Sequence, residues 1–255
     1  MENVLFTSPL NLLWVIVSLF IIIIVVYIAK LKFWEKRGLG KTALFALTTL
    51  YSALVVSSVV AATKIIKFNI PVLCLLFPEG MFVPAGVIVY AASFLITDLI
   101  SEVYGKKEAF RAVILGFVSM LIFAGYSILM VKWDYAPYWT GQESYESVVY
   151  SSFRITIAGI VSFIISQSLD VTVFHWLKNE KTKIGNRNNL WIRNNVSTIT
   201  SQFIDSTIFI AIAYLGIYDS ILNMILAQWL IKVIIALIDT PFAYWGRSIL
   251  TKDSL

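Results

Sequence analysis

The sequence predicts an all-α integral membrane protein with seven spans, and three observations carry that prediction. Of its 255 residues, 59% are hydrophobic and only 14% are charged, against about 25% charged in a soluble domain. The apolar residues fall in long blocks, of the order of the ~20 residues that cross a bilayer as a helix. Lysine and arginine, finally, gather in every second connection between those blocks. The composition excludes a soluble globular enzyme and a disordered chain. With Cys74 as the one cysteine, it also excludes a disulfide scaffold.

The apolar windows are 10–29, 43–63, 84–101, 110–131, 155–177, 196–218 and 221–245. The first contains Ile21 to Val26 without an ionisable group and is followed by Lys30, Lys32, Lys36, Arg37 and Lys41. It therefore reads as a membrane helix with a stop-transfer flank, not a signal peptide. Fifteen of the twenty Lys and Arg residues lie after spans one, three, five and seven, and four (Lys64, Lys67, Lys132 and Arg154) lie on the alternate side. Cytoplasmic loops collect positive charge, so the amino terminus is expected outside and the carboxyl terminus inside. The net charge of +5 is thus a matter of topology, and no nucleic-acid partner is expected. The longest external stretch, 132–154, is rich in Trp and Tyr, as side chains at headgroup level are.

Spans five and six share a pattern. Residues 166–174 and 201–209 both read S-Q-x-x-D-x-T-x-F, 35 positions apart on helices that run in opposite directions. An inverted repeat with polar groups near mid-membrane is a recurrent plan of secondary transporters. Asp98, Asp170, Asp205, Lys232 and Asp239 all fall inside predicted spans, with Glu102 at the inner end of span three. An ionised side chain there costs roughly 2.5–3.5 kcal/mol even on the gentlest scale. Helical spacing puts Asp98 with Glu102, Gln167 with Asp170, and Thr198, Gln202, Asp205 and Phe209 on shared faces. Gln228, Lys232 and Asp239 form a further stripe. Structural pairing, Lys232 with Asp205 or Asp170, is the plainer account of any single acid. A bundle built only for architecture would use small residues and Ser/Thr at its interfaces, so the cluster as a whole points to a polar cavity for a polar solute.

Other chemistries leave no trace. There is no G-x-x-x-x-G-K-[ST] loop for nucleotide hydrolysis. His175 is the only histidine, so no zinc site or cofactor is expected. Neither an arginine ladder nor a TVGYG filter of an ion channel occurs.

The run from Pro84-Ala85-Gly86 to Thr97-Asp98, Glu102, Tyr104-Gly105-Lys106-Lys107 resembles the queuosine precursor transporter family, also called the vitamin uptake transporter family. The resemblance extends to the two S-Q-x-x-D helices, to Ala62-Thr63-Lys64-Ile65, and to Lys232 with Thr240-Pro241, covering about residues 41–247. Members usually have six spans. The resemblance thus implies a six-helix transporter domain over 41–250, preceded at 1–40 by an extra transmembrane helix and basic linker. An Asn common in the family's first helix is absent here, where Ser57-Ser58 stand nearby.

The resemblance implies import of 7-deazaguanine precursors of modified tRNA bases, 7-cyano- or 7-aminomethyl-7-deazaguanine, by ion- or proton-coupled alternating access. A deazaguanine edge offers N–H donors to a carboxylate and accepts from Gln, Asn or Lys, and its flat ring suits an aromatic stack. Expected at the substrate are Asp205, Asp170, Gln167, Gln202 and Lys232, with Asn194 and Asn195 at the cytoplasmic mouth and Phe209, Phe174 or Trp229 as the stack. Asp98, Glu102 and Asp239 are assigned to gating or proton coupling. The expected partners are a purine-like small molecule and membrane lipid, with a homodimer left open. Two rivals stand beside this reading: a substrate-capturing subunit of an ATP-driven uptake system, with its ATPase module as partner, and a membrane enzyme acting through the acid cluster.

Overall fold

The structure is a computed structural model that describes residues 42–69, 73, 75–178 and 190–251, together with Phe20 and Ile23. Six helices dominate: α1 (Thr42–Ala61), α2 (Gly86–Tyr104), α3 (Lys106–Val131), α4 (Gln142–Lys178), α5 (Leu190–Tyr214) and α6 (Ile221–Thr251). Between α1 and α2 lies a hairpin of β1 (Ile65–Phe68) and β2 (Met81–Pro84), paired antiparallel from Ile65 opposite Pro84 to Phe68 opposite Met81. Four helical stretches are long and apolar enough to cross a membrane: Ala43–Ala61, Gly86–Tyr104, Lys106–Val131 and Gln142–Leu169. Ile199–Tyr214 and Ile221–Ala236 are shorter apolar stretches. The window 10–29 lies almost wholly outside the described residues. From it, Phe20 meets Phe242 edge to face at 5.5 Å and Ile23 is buried.

The helices close a ring. Packed neighbours run α1–α2, α2–α6, α6–α5, α5–α4, α4–α3 and α3–α1, with α2 also touching α3. Spacing explains the seam: Leu44, Leu47, Tyr51, Val55 and Val59 recur every three or four residues along α1 and are buried, as one helix face must be. Glycine lets neighbours approach. A Cβ on Gly86 would stand 2.3 Å from the Ser58 carbonyl oxygen, and one on Gly116 would stand 2.5 Å from Tyr51 Cε1. α2 and α3 are separated by Gly105 alone, whose φ of +92° suits a residue without a Cβ.

Two elements differ from the sequence reading. The connection between the second and third windows contains the hairpin, so Pro84 ends a strand and the helix starts at Gly86. Four-residue strands of mixed burial carry too little periodicity to stand out among apolar residues. The stretch 132–154, expected outside, is also mostly helix, because α4 begins at Gln142 and runs for 37 residues, about 55 Å. Arg154, one of the four cations of that side, is held in place: its guanidinium donates to the carbonyls of Ile212 (2.6 Å) and Leu215 (2.8 Å). It satisfies the end of α5, where helical carbonyls lack partners.

Candidate functional site

The ring encloses a cavity to which every helix contributes. Its wall is made by Ser58 and Val59 of α1, Gly86, Val87 and Tyr90 of α2, Met120 of α3, Ile155, Gly159 and Ser162 of α4, Asp205 and Phe209 of α5, and Gln228 and Lys232 of α6. About 500 Å³ of empty space lies within it, its open mouth included. Pro84 of the hairpin closes one edge. The hairpin is in turn tied to the start of α6, where Asn223 accepts from the Phe82 amide and donates to the Gly80 carbonyl, each at 2.9 Å.

The charge in the cavity is one ion pair. The Lys232 ammonium donates to Asp205 Oδ2, and the Ser166 hydroxyl reaches Asp205 Oδ1 at 3.3 Å. Asp205 is 7% and Lys232 5% exposed. Removing one partner of such a pair leaves a buried charge uncompensated, while removing both costs far less. The pair does not exhaust its own capacity. Each carboxylate oxygen has a second lone pair and the ammonium two further N–H donors. Lys232 Nζ also stands 6.0 Å from the centroid of the Tyr90 ring, near the reach of a cation–π contact. The walls are unequal. Asp205, Lys232 and Gln228, with Phe209, line the α5–α6 side, while Met120, Ile155 and Gly159, with the Ser162 hydroxyl, line the α3–α4 side.

Asp205, Lys232 and Phe209, from the residues named in the sequence, meet at this cavity. Gln202, one turn before Asp205 on α5, is half-buried and not part of the cavity wall, and its Oε1 lacks a hydrogen-bond partner among the described residues. Gln167 faces outward from α4, and Asp98 and Glu102 are exposed on α2 outside the cavity wall. The side chains of Asp170, Phe174, Asn194, Asn195 and Asp239 lie outside the described residues. Trp229 is turned away from a stacking role: its indole donates to the Ile199 carbonyl at 3.2 Å and packs edgewise on Phe203. The sequence reading missed Tyr90, Ser58, Ser162, Met120 and Gly159 as wall residues. Gln228 was visible only as a member of the Lys232 stripe. No pattern in the chain marks such residues, because they become neighbours through ring closure. Among the described residues, no group of three or more His, Cys, Asp or Glu side chains is placed to hold a metal ion.

The family described as "Putative vitamin uptake transporter" matches residues 84–246. A Bacillus subtilis protein named "Probable queuosine precursor transporter" is 32% identical over 68% of this chain and 76% of its own length. A Haemophilus influenzae protein of the same name is 26% identical over 51% of each chain. No solved structure matches the chain. With this match, this likeness and a bundle of helices long and apolar enough to cross a membrane, the chain is a multi-pass membrane protein that belongs to the putative vitamin uptake, or queuosine precursor, transporter family.

Proposed function

We propose that this protein imports a 7-deazaguanine precursor of a modified tRNA base, 7-cyano- or 7-aminomethyl-7-deazaguanine, by alternating access. The observation that carries the reading is the Asp205–Lys232 pair set into the wall of a cavity otherwise lined by apolar and small polar side chains. A guanine-like edge brings N–H donors for Asp205 and a carbonyl acceptor for Lys232 and Gln228, so both ions stay solvated by the guest. Phe209 supplies a ring for its flat face. The printed names of the curated relatives, probable queuosine precursor transporters, support the same substrate class. The distribution of Lys and Arg favours the hairpin end outside. Asp98 and Glu102 then lie toward the cytoplasmic end of α2, as an inner gate or as groups that couple transport to protons or another ion.

Two measurements test this. A ligand that binds the folded state raises its unfolding temperature according to concentration over Kd, so the deazaguanines are expected to stabilise the purified protein while guanine and adenine do so less. Equal shifts for all four would remove the substrate assignment. In a host without its own precursor uptake and without ATP-driven energising modules, the protein is expected to restore queuosine in tRNA. Asp205→Asn is expected to lower that uptake at least about tenfold, the scale of a lost charge-assisted hydrogen bond. Failure of the intact protein in that host would favour the ATP-driven subunit instead.

A further inference from the structure

Glycine is a poor residue for a helix interior, so each helical glycine calls for a reason. Packing provides it at Gly86 and Gly116, where a Cβ would collide with Ser58 and Tyr51, and at Gly246, where it would stand 2.9 Å from Leu99 Cδ2. Gly125 is exposed, with nothing within 4 Å of an added Cβ. Gly159 fits neither class. A Cβ there would meet only Met120 Cε, at an ordinary 3.7 Å, yet the residue lines the cavity between Ile155 and Ser162 on α4. The fold does not require glycine at this place. What the missing side chain leaves free is cavity space.

A second observation indicates that the space is meant for a guest. Gln228 is 2% exposed and lines the same cavity. It stands on α6 one turn from Lys232, and its carboxamide offers both a donor and an acceptor to a guest in the cavity. The ring order puts α5 between α6 and α4. The charged and carboxamide groups face the cavity from α5–α6, and Gly159, Met120 and Ile155 face it from α3–α4, with the Ser162 hydroxyl as the one polar group of that wall. A bicyclic base held by its hydrogen-bonding edge at Asp205, Lys232 and Gln228 points its five-membered ring toward Gly159.

Resting on the deazaguanine reading above, we infer that Gly159 is a specificity-determining residue: its absent side chain makes room for the substituent carried on the five-membered ring of the base. The test is titration of the purified full-length protein, as wild type, Gly159→Ala and Gly159→Ser, with unsubstituted 7-deazaguanine and with 7-cyano-7-deazaguanine. Both variants are expected to weaken the cyano compound by about tenfold, the scale of one methylene-sized change in a pocket, and to leave the unsubstituted base within about twofold. The ligand-free unfolding midpoint of Gly159→Ala is expected at or above that of wild type, because alanine is the better helix former. If the two ligands weaken in parallel, or the ratio of their dissociation constants does not move, the inference is overturned while the substrate reading stands. A wild-type protein that binds neither compound overturns both.

Discussion

Residues 166–174 of α4 and 201–209 of α5 carry the same S-Q-x-x-D-x-T-x-F pattern into different surroundings. Where the pattern speaks only to its own helix, the copies behave alike. Thr172 donates to the Ser168 carbonyl and Thr207 to that of Phe203, both at 2.8 Å and both four residues back. Where it speaks to other helices, they part. On α5, Asp205 is buried against Lys232, Ser201 and Ser206 are buried, and Phe209 lines the cavity. On α4, Ser166 is buried and reaches Asp205, but Gln167, Ser168 and Thr172 are exposed. Repetition in sequence thus preserves local chemistry, while among the described side chains one copy supplies the carboxylate of the polar centre and the other a supporting hydroxyl. The difference follows from position in the ring: α5 lies between α4 and α6, and α6 brings the one cation that lines the cavity among the described residues.

The strongest way to break this contrast is to remove that cation. Lys232→Met leaves the Asp205 carboxylate buried without its counter-ion, and the protein is expected to lose about 3–5 kcal/mol in denaturant unfolding in detergent. The double variant Lys232→Met with Asp205→Asn is expected to recover most of that loss, though not uptake. Were the single variant as stable as wild type, the pair would contribute nothing to the centre of the bundle. A smaller effect sharpens the comparison within α4. Ser166→Ala removes a hydroxyl that reaches a buried carboxylate and is expected to cost roughly 1–2 kcal/mol, whereas Ser168→Ala, two residues on and exposed, is expected within about 0.5 kcal/mol of wild type. Unfolding curves that rank the two serines the other way would place the polar centre elsewhere. The smallest effect tests what the copies share. Thr172→Val and Thr207→Val each remove one hydrogen bond to the preceding turn, a bond that slightly destabilises helices. Both are expected to change stability by no more than about 0.5 kcal/mol, and by similar amounts.

The comparison also separates what could be read in the chain from what could not. Asp205, Lys232 and Phe209 were legible because charged residues in a lipid-length apolar block demand an explanation, and helical spacing aligns Phe209 with Asp205. Tyr90, Met120, Gly159 and Ser58 were not legible. Each is an ordinary residue of an apolar helix, and its role depends on neighbours from other helices. The outward direction of Gln167 was hidden for the same reason: a repeated motif fixes spacing along a helix, not the angle at which that helix enters the ring. The β-hairpin escaped because its strands are four residues long, too short for their alternation to separate from the apolar background.

By itself, the sequence determined that this is a membrane protein of several apolar helices, where most of those helices lie, and that polar groups are embedded among them. Those properties come from hydropathy and periodicity, which act along the chain and need no partner. The tertiary structure decided that Lys232 answers Asp205, that one copy of the repeat faces the cavity centre, and that a hairpin tied by Asn223 closes its edge. Those choices rest on hydrogen bonds and ion pairs, which reach only a few ångströms and form only after distant parts of the chain have been brought together.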